Sequence, residues 1–151
     1  MKRVYFIAVL LCAALLFSGC GVSGEQPSAT AQPTPTPVSI ESRVAAYADA
    51  DVMEEDGQLV IGIRVDEADT DTACVQFFNQ AEDIYAHCIS GESYTGVSFS
   101  LMQDARTIGS VFILPDEGGM KVYAPVVFNT DYEASFLTAF YASDFAKSLA
   151  D

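Results

Sequence analysis

His87 and Cys88 stand side by side in the stretch Asp83 to Cys88, and His87 is the only histidine of the chain. An imidazole beside a thiol is the pair used in nucleophilic catalysis, the base taking the proton and the thiolate attacking. Neighbours on a helix point about 100° apart, however, so adjacent side chains do not converge on one reacting atom. A small hydrolase built on His87 with Cys88 or a serine would need the helix to end before them. No Gly-x-Ser-x-Gly and no His-Glu-x-x-His occurs, so the common hydrolase signatures are missing. The plain reading of His87 is a polar side chain near a helix carboxyl end, where positive charge is favoured. No catalytic residue is assigned.

Cys74 and Cys88 invite a disulfide, but fourteen residues of helix span roughly 21 Å. Bridged Cα atoms lie only about 4.4–6.8 Å apart. On a continuous helix both are therefore buried thiols acting as small apolar residues, and there is no Cys-x-x-Cys spacing to suggest a metal or redox pair. Asp66, Glu67, Asp69 and Asp71 crowd together, and carboxylates so placed offer the hard oxygen ligands that Ca²⁺ prefers. The twelve-residue loop with central glycine and terminal glutamate is absent. Helix capping accounts for two of the four and solvated loop charge for the others. No metal or cofactor is expected. Tyr94, Tyr123, Tyr132 and Tyr141 fit a glycan- or peptide-binding platform, and fit partly buried rim positions equally well.

The elements that must position these residues follow from periodicity. Val44, Ala46, Ala48, Ala50 and Val52 alternate, as do Leu59, Ile61, Ile63 and Val65, with Asp56-Gly57 between them; this predicts a hairpin. Asp69 to Thr72 supplies capping chemistry for a helix. Its stripe of Cys74, Phe77, Phe78, Ala81, Ile84, Tyr85 and Cys88 recurs at helical spacing, and Ser90-Gly91 ends it. A second hairpin follows, with Val97, Phe99 and Leu101 alternating, a turn at Gln103 to Arg106, and a return over Ile108 to Leu114. Met120 to Phe128 predicts a fifth strand, placed at an edge by Pro125. Asn129 to Asp131 caps a last helix through Tyr132, Phe136, Leu137, Phe140 and Tyr141. Phe145 and Leu149 fall out of phase with it, which predicts a break near Ser143-Asp144. The expected fold is α+β, order ββα-ββ(β)α: an antiparallel sheet of four to five strands with two helices on one face.

Before this domain the chain reads quite differently. Lys2 and Arg3 precede an apolar run from Val4 to Phe17, which is 14 residues long, against roughly 20 for a helix that spans a bilayer. Small residues Ser18 and Gly19 close it. These are the parts of a secretory signal peptide. Phe17-Ser18-Gly19-Cys20, followed by Gly21, resembles the lipobox of bacterial lipoproteins. That resemblance implies cleavage after residue 19 and a diacylglyceryl group on Cys20, with palmitate-type acyl chains holding the protein to the membrane. Two chains on one residue anchor stably where a single chain binds only marginally. It further implies the extracytoplasmic face of a bacterial membrane.

From Gly21 to Val38 the chain is mostly Ser, Thr, Gln, Gly, Ala and Pro, with one charge, Glu25. Such a segment has nothing to bury against its ordering entropy and reads as a disordered stalk, stiffened by Pro33, Pro35 and Pro37. The domains expected are thus a signal peptide at 1–19, a lipidated cysteine and linker at 20–38, and one α+β domain at 39–151. Removing Lys2 and Arg3 leaves 5 Lys+Arg against 21 Asp+Glu, a formal charge of −16. That balance excludes nucleic acid, which needs basic patches. It allows a cationic protein or peptide, or a cell-wall component, as partner. The reading that results is a lipid-anchored binding or accessory module of the cell envelope without catalysis. The competitors are the small hydrolase above and a structural or assembly lipoprotein.

Overall fold

The computed structural model describes residues 38–115 and 121–150. The lipobox, Cys20 and the stalk lie outside the described residues. The chain divides between Pro35 and Thr36, and every described residue belongs to the unit that follows. Among the described residues no helix is long and apolar enough to cross a membrane.

A five-residue helix, α1 (Ile40–Val44), opens the domain where alternation predicted a strand. Ser39 caps it, its side chain accepting from the Ser42 N–H at 3.3 Å. Ile40 and Val44, one helical turn apart, are both buried. An i,i+4 apolar pair with a cap outweighs a two-residue period that rests mostly on alanine, whose side chain discriminates weakly between the two forms. Strand β1 (Ala50–Glu55) therefore begins later than expected. It pairs with β2 (Gln58–Arg64). Asp56 and Gly57 both take positive φ, 50° and 77°, the geometry a two-residue hairpin turn of matching twist requires.

Asp69 caps α2 (Thr70–Ile84) through the Thr72 N–H at 2.8 Å and the Thr72 hydroxyl at 2.7 Å. The expected stripe faces the core: Cys74, Phe77, Phe78, Ala81 and Ile84 are buried. The helix then widens into a π-turn over Tyr85–Ile89, where the Ser90 N–H reaches back to the Tyr85 carbonyl at 2.8 Å. The wider turn places both Cys88 and Ile89 inside. Beyond it come β3 (Gly96–Gln103), β4 (Arg106–Pro115) and β5 (Lys121–Val127).

The sheet order is β1-β2-β3-β4-β5, with β2 and β3 parallel and every other pair antiparallel. The fold is α+β as expected, but the sheet is mixed rather than antiparallel. The physical reason is the connection: a helix between β2 and β3 carries the chain back to its starting end, and a crossover of that kind makes parallel neighbours. Pro125 sits on edge strand β5, where its missing N–H costs no ladder bond to a further strand,. A 3₁₀ turn (Thr130–Tyr132) leads into α3 (Glu133–Ala142), and α4 (Asp144–Ala150) follows. The break falls at Ser143 as predicted, with ψ 155°. Its hydroxyl accepts from the Ala146 N–H at 3.1 Å and so caps α4.

One row of strand side chains faces the interior: Leu59, Ile61 and Ile63 on β2, Phe99 and Leu101 on β3, and Val111 on β4 are each fully buried. Phe145 of α4 meets Phe99 edge-on with ring centroids 5.3 Å apart, and Phe140 of α3 meets Tyr123 at 5.8 Å. Phe78 is surrounded by Phe77, Phe136, Phe140 and Phe145, with centroids 4.8, 5.0, 5.5 and 6.3 Å away. Edge-to-face and tilted pairs of this kind add to the burial of large apolar area.

Candidate functional site

The alternate residues of the same strands build the other face of the sheet, and the register sets them in rows. Met53, Val60, Ser98, Phe112 and Ala124 lie side by side across β1 to β5; Asp51, Gly62, Ser100, Ser110 and Val126 form the next row. On this face β3 carries the small residues Gly96, Ser98 and Ser100, flanked by Val60 on β2 and by Phe112 and Leu114 on β4. A trough results, with Ser98, Ser100 and Gly96 on its floor and Val60 on one side. Phe112, Leu114 and Phe128 stand on the other side, and the cavity holds about 490 Å³. The hydroxyls of Ser100 and Ser110 hydrogen-bond each other at 2.8 Å, so these two engage one another on the floor.

Its walls are not covered. Val60 is 39 % exposed, Phe112 40 %, Leu114 50 % and Phe128 57 %. Apolar side chains scattered singly are normal on a protein surface; a contiguous set lining a depression marks a binding surface. Periodicity did carry the signal. If Val97, Phe99 and Leu101 face the core, then Ser98 and Ser100 must face away. A return strand apolar at nearly every position, as Ile108 to Leu114 is, must show apolar groups on both faces. What the sequence lacked was the neighbour order that sets Ser98 between Val60 and Phe112.

At one end of this face a second depression of about 660 Å³ is rimmed by Asp49, Asp51, Asp66, Glu67 and Asp104. Arg64 stands among them, donating to Asp49 at 2.9 Å and also to Asp51. The Asp51 hydrogen bond, and then that of Asp49, pushes the guanidinium pKa up. Arg64 thus pairs with two carboxylates, and the remaining acidic groups leave the rim negative. Gln103 bridges the floor, its amide donating to the Glu67 carbonyl at 2.7 Å and its oxygen accepting from the Tyr132 hydroxyl.

Three of the four carboxylates considered for calcium hold hydrogen bonds within the fold. Asp69 caps α2, Glu67 accepts from the Asp69 N–H at 3.1 Å, and Asp71 accepts from the Ser135 hydroxyl. Asp66 lines the acidic depression. Among the described residues no group of three or more metal-ligating side chains is gathered. The Thr72 hydroxyl and then its N–H hold the Asp69 carboxyl below the usual carboxylate range. A depressed folded-state pKa stabilises the fold above the unfolded value, and that contribution fades as pH falls through the folded one. Asp69→Ala is therefore expected to lower the urea midpoint at pH 7 and to match wild type more closely in acid. Asp69→Asn, which still caps, should lie close to wild type at pH 7; equal midpoints for all three at pH 7 would remove Asp69 from the account.

His87 sits in the π-turn, exposed, its ring stacked on Tyr47 with centroids 5.3 Å apart and planes 9° off parallel. Cys74 and Cys88 are both buried free thiols. Burial, and to a lesser degree Asp71, pushes the Cys74 pKa up to about 11. Burial raises that of Cys88 as well. A thiol held protonated at neutral pH is a poor nucleophile. The tyrosines do not gather into a platform: Tyr94, Tyr123 and Tyr132 are partly buried against the core, and Tyr141 is exposed on α3. Comparison with protein-family models, with curated proteins and with solved structures found no significant match to this chain.

Proposed function

We propose that this chain is a non-catalytic binding module, held by a lipid on Cys20 to the extracytoplasmic face of a bacterial membrane. The observation that carries the binding role is the uncovered, mainly apolar trough between Val60 and Phe112. In this reading the helices close one face of the sheet and leave the other to a ligand of the envelope, while the stalk lifts the domain clear of the headgroups. The anchor rests on the resemblance of Phe17 to Cys20 to a lipobox. Buried, protonated thiols and a histidine stacked on a tyrosine favour binding over a hydrolase.

One experiment on the full chain in its own envelope addresses both parts. A photo-crosslinking phenylalanine analogue is placed at Phe112 or Phe128, and at exposed Tyr141 as the control, in cells fed an alkyne fatty acid. Crosslinks from 112 and 128 but not from 141, and label lost on Cys20→Ala, are the expected results. Equal capture at all three positions, or none at 112 and 128, overturns the binding face. Undiminished label on Cys20→Ala overturns the anchor.

A further inference from the structure

Resting on that reading, we infer that the occupant of the trough is a cationic amphipathic polypeptide segment, its apolar side chains seated against Phe112 and Leu114 and its Lys or Arg groups over the β1 rim. The charge on that face selects this class. On β1, Asp51 and Glu55 share the outward register of Met53, and Asp49 and Asp56 lie just beyond the strand. Arg64, the described cation on these rows, already serves Asp49 and Asp51. Asp49 and Asp51 share that one cation, and among the described residues no ion pair engages Glu55 or Asp56, so the rim keeps an excess of negative charge. An apolar strip bordered on one side by such an excess is complementary to a partner with apolar groups on one flank and positive charge on the next.

The same charge disfavours the rival occupants. The segment from Ser39 onward carries 5 Lys+Arg and 20 Asp+Glu, so a second copy docking on this face would bring like charges together, which costs stability. Anionic headgroups and fatty-acid carboxylates meet the same repulsion at the rim. Nor does the face offer the tyrosine or tryptophan surface on which a sugar ring would stack.

The chain has no tryptophan, so a peptide with one tryptophan on its apolar side reports binding directly. The test uses the full mature chain with Cys20→Ser. It is titrated with an 18-residue Leu/Lys amphipathic peptide, its Leu/Glu counterpart and sodium dodecanoate. Light scattering follows self-association. The expected results are saturable binding of Leu/Lys at least about tenfold tighter than Leu/Glu, and weakening in high salt. Losses of about tenfold are expected for Glu55→Lys and for Phe112→Ser, each with an unchanged urea midpoint. A second trough variant, Leu114→Ser, covers the case in which Phe112→Ser unfolds. Equal affinity for Leu/Glu, no effect of Glu55→Lys, preferential binding of dodecanoate, or a dimer abolished by Phe112→Ser would each overturn the cationic-peptide assignment. Failure of every peptide, while crosslinks from residue 112 persist in the envelope, would overturn the partner class alone. Loss of those crosslinks as well would overturn the binding face itself.

Discussion

Phe78→Ala is expected to lower the stability of the domain by about 3–5 kcal/mol, the scale of emptying a buried aromatic site. Phe78 is 1 % exposed, and four phenylalanines surround it: Phe77 on the same helix, Phe136 and Phe140 on α3, and Phe145 on α4. These neighbours come from three helices that also pack on the sheet. None can swing into the space without leaving its own contacts, so the cavity stays largely open. Whole domains are stable by only about 5–15 kcal/mol, and this one substitution therefore removes a large share. With a urea slope of roughly 1–3 kcal/mol/M, the midpoint should fall by about 2 M at unchanged slope. Phe128→Ala is the comparison, because that ring is 57 % exposed on the trough wall. It should stay within about 0.5 kcal/mol of wild type, as most surface positions do. A loss below about 1.5 kcal/mol for Phe78→Ala would mean that the three helices do not share one core around it.

Gly109→Ala should cost about 1–3 kcal/mol, although alanine normally improves on glycine inside a strand. The position faces the interior on β4, and a Cβ there would come within 2.9 Å of Phe136 Cε2 and 3.0 Å of Cζ. Two effects oppose each other. Replacing glycine removes backbone freedom from the unfolded chain, worth about 0.4–1 kcal/mol. Overpacking a filled core costs more, because the ring that must yield is fully buried between Phe77 at 5.8 Å and Phe78 at 5.0 Å. The clash should win. The two positions should then be coupled: Gly109→Ala with Phe136→Leu should be less destabilised than the sum of the single changes, by at least about 0.5 kcal/mol. Urea unfolding of the four proteins in the cycle measures this. Additive losses would separate Gly109 from Phe136.

Much of this architecture is written locally. The Asp56-Gly57 turn, the Asp69 cap, the stripe from Cys74 to Ile84, the edge placement of Pro125 and the break at Ser143 each follow from residues within a few positions of one another. Their physics is short-ranged: turn geometry, capping and side-chain period act before any long-range contact forms. The segment Val44 to Ala48 was misleading for a related reason. Alternating alanines carry little preference, and the Ser39 cap with buried Ile40 and Val44 decided in favour of a helix.

The trough belongs to the other category. Its serines and apolar walls were visible as alternate positions, but which strand neighbours which depends on the parallel pairing of β2 with β3. That pairing is set by how α2 packs across the sheet, a contact between segments far apart in the chain. Residue order and composition were enough for the α+β class, the acidic balance, the local caps and turns, and the helix break. Packing between distant segments made the sheet mixed, set Asp71 against Ser135, and brought Val60, Ser98 and Phe112 onto one open surface. The division has a single physical cause: periodicity states which way a side chain points, and only packing between distant segments states what it meets there.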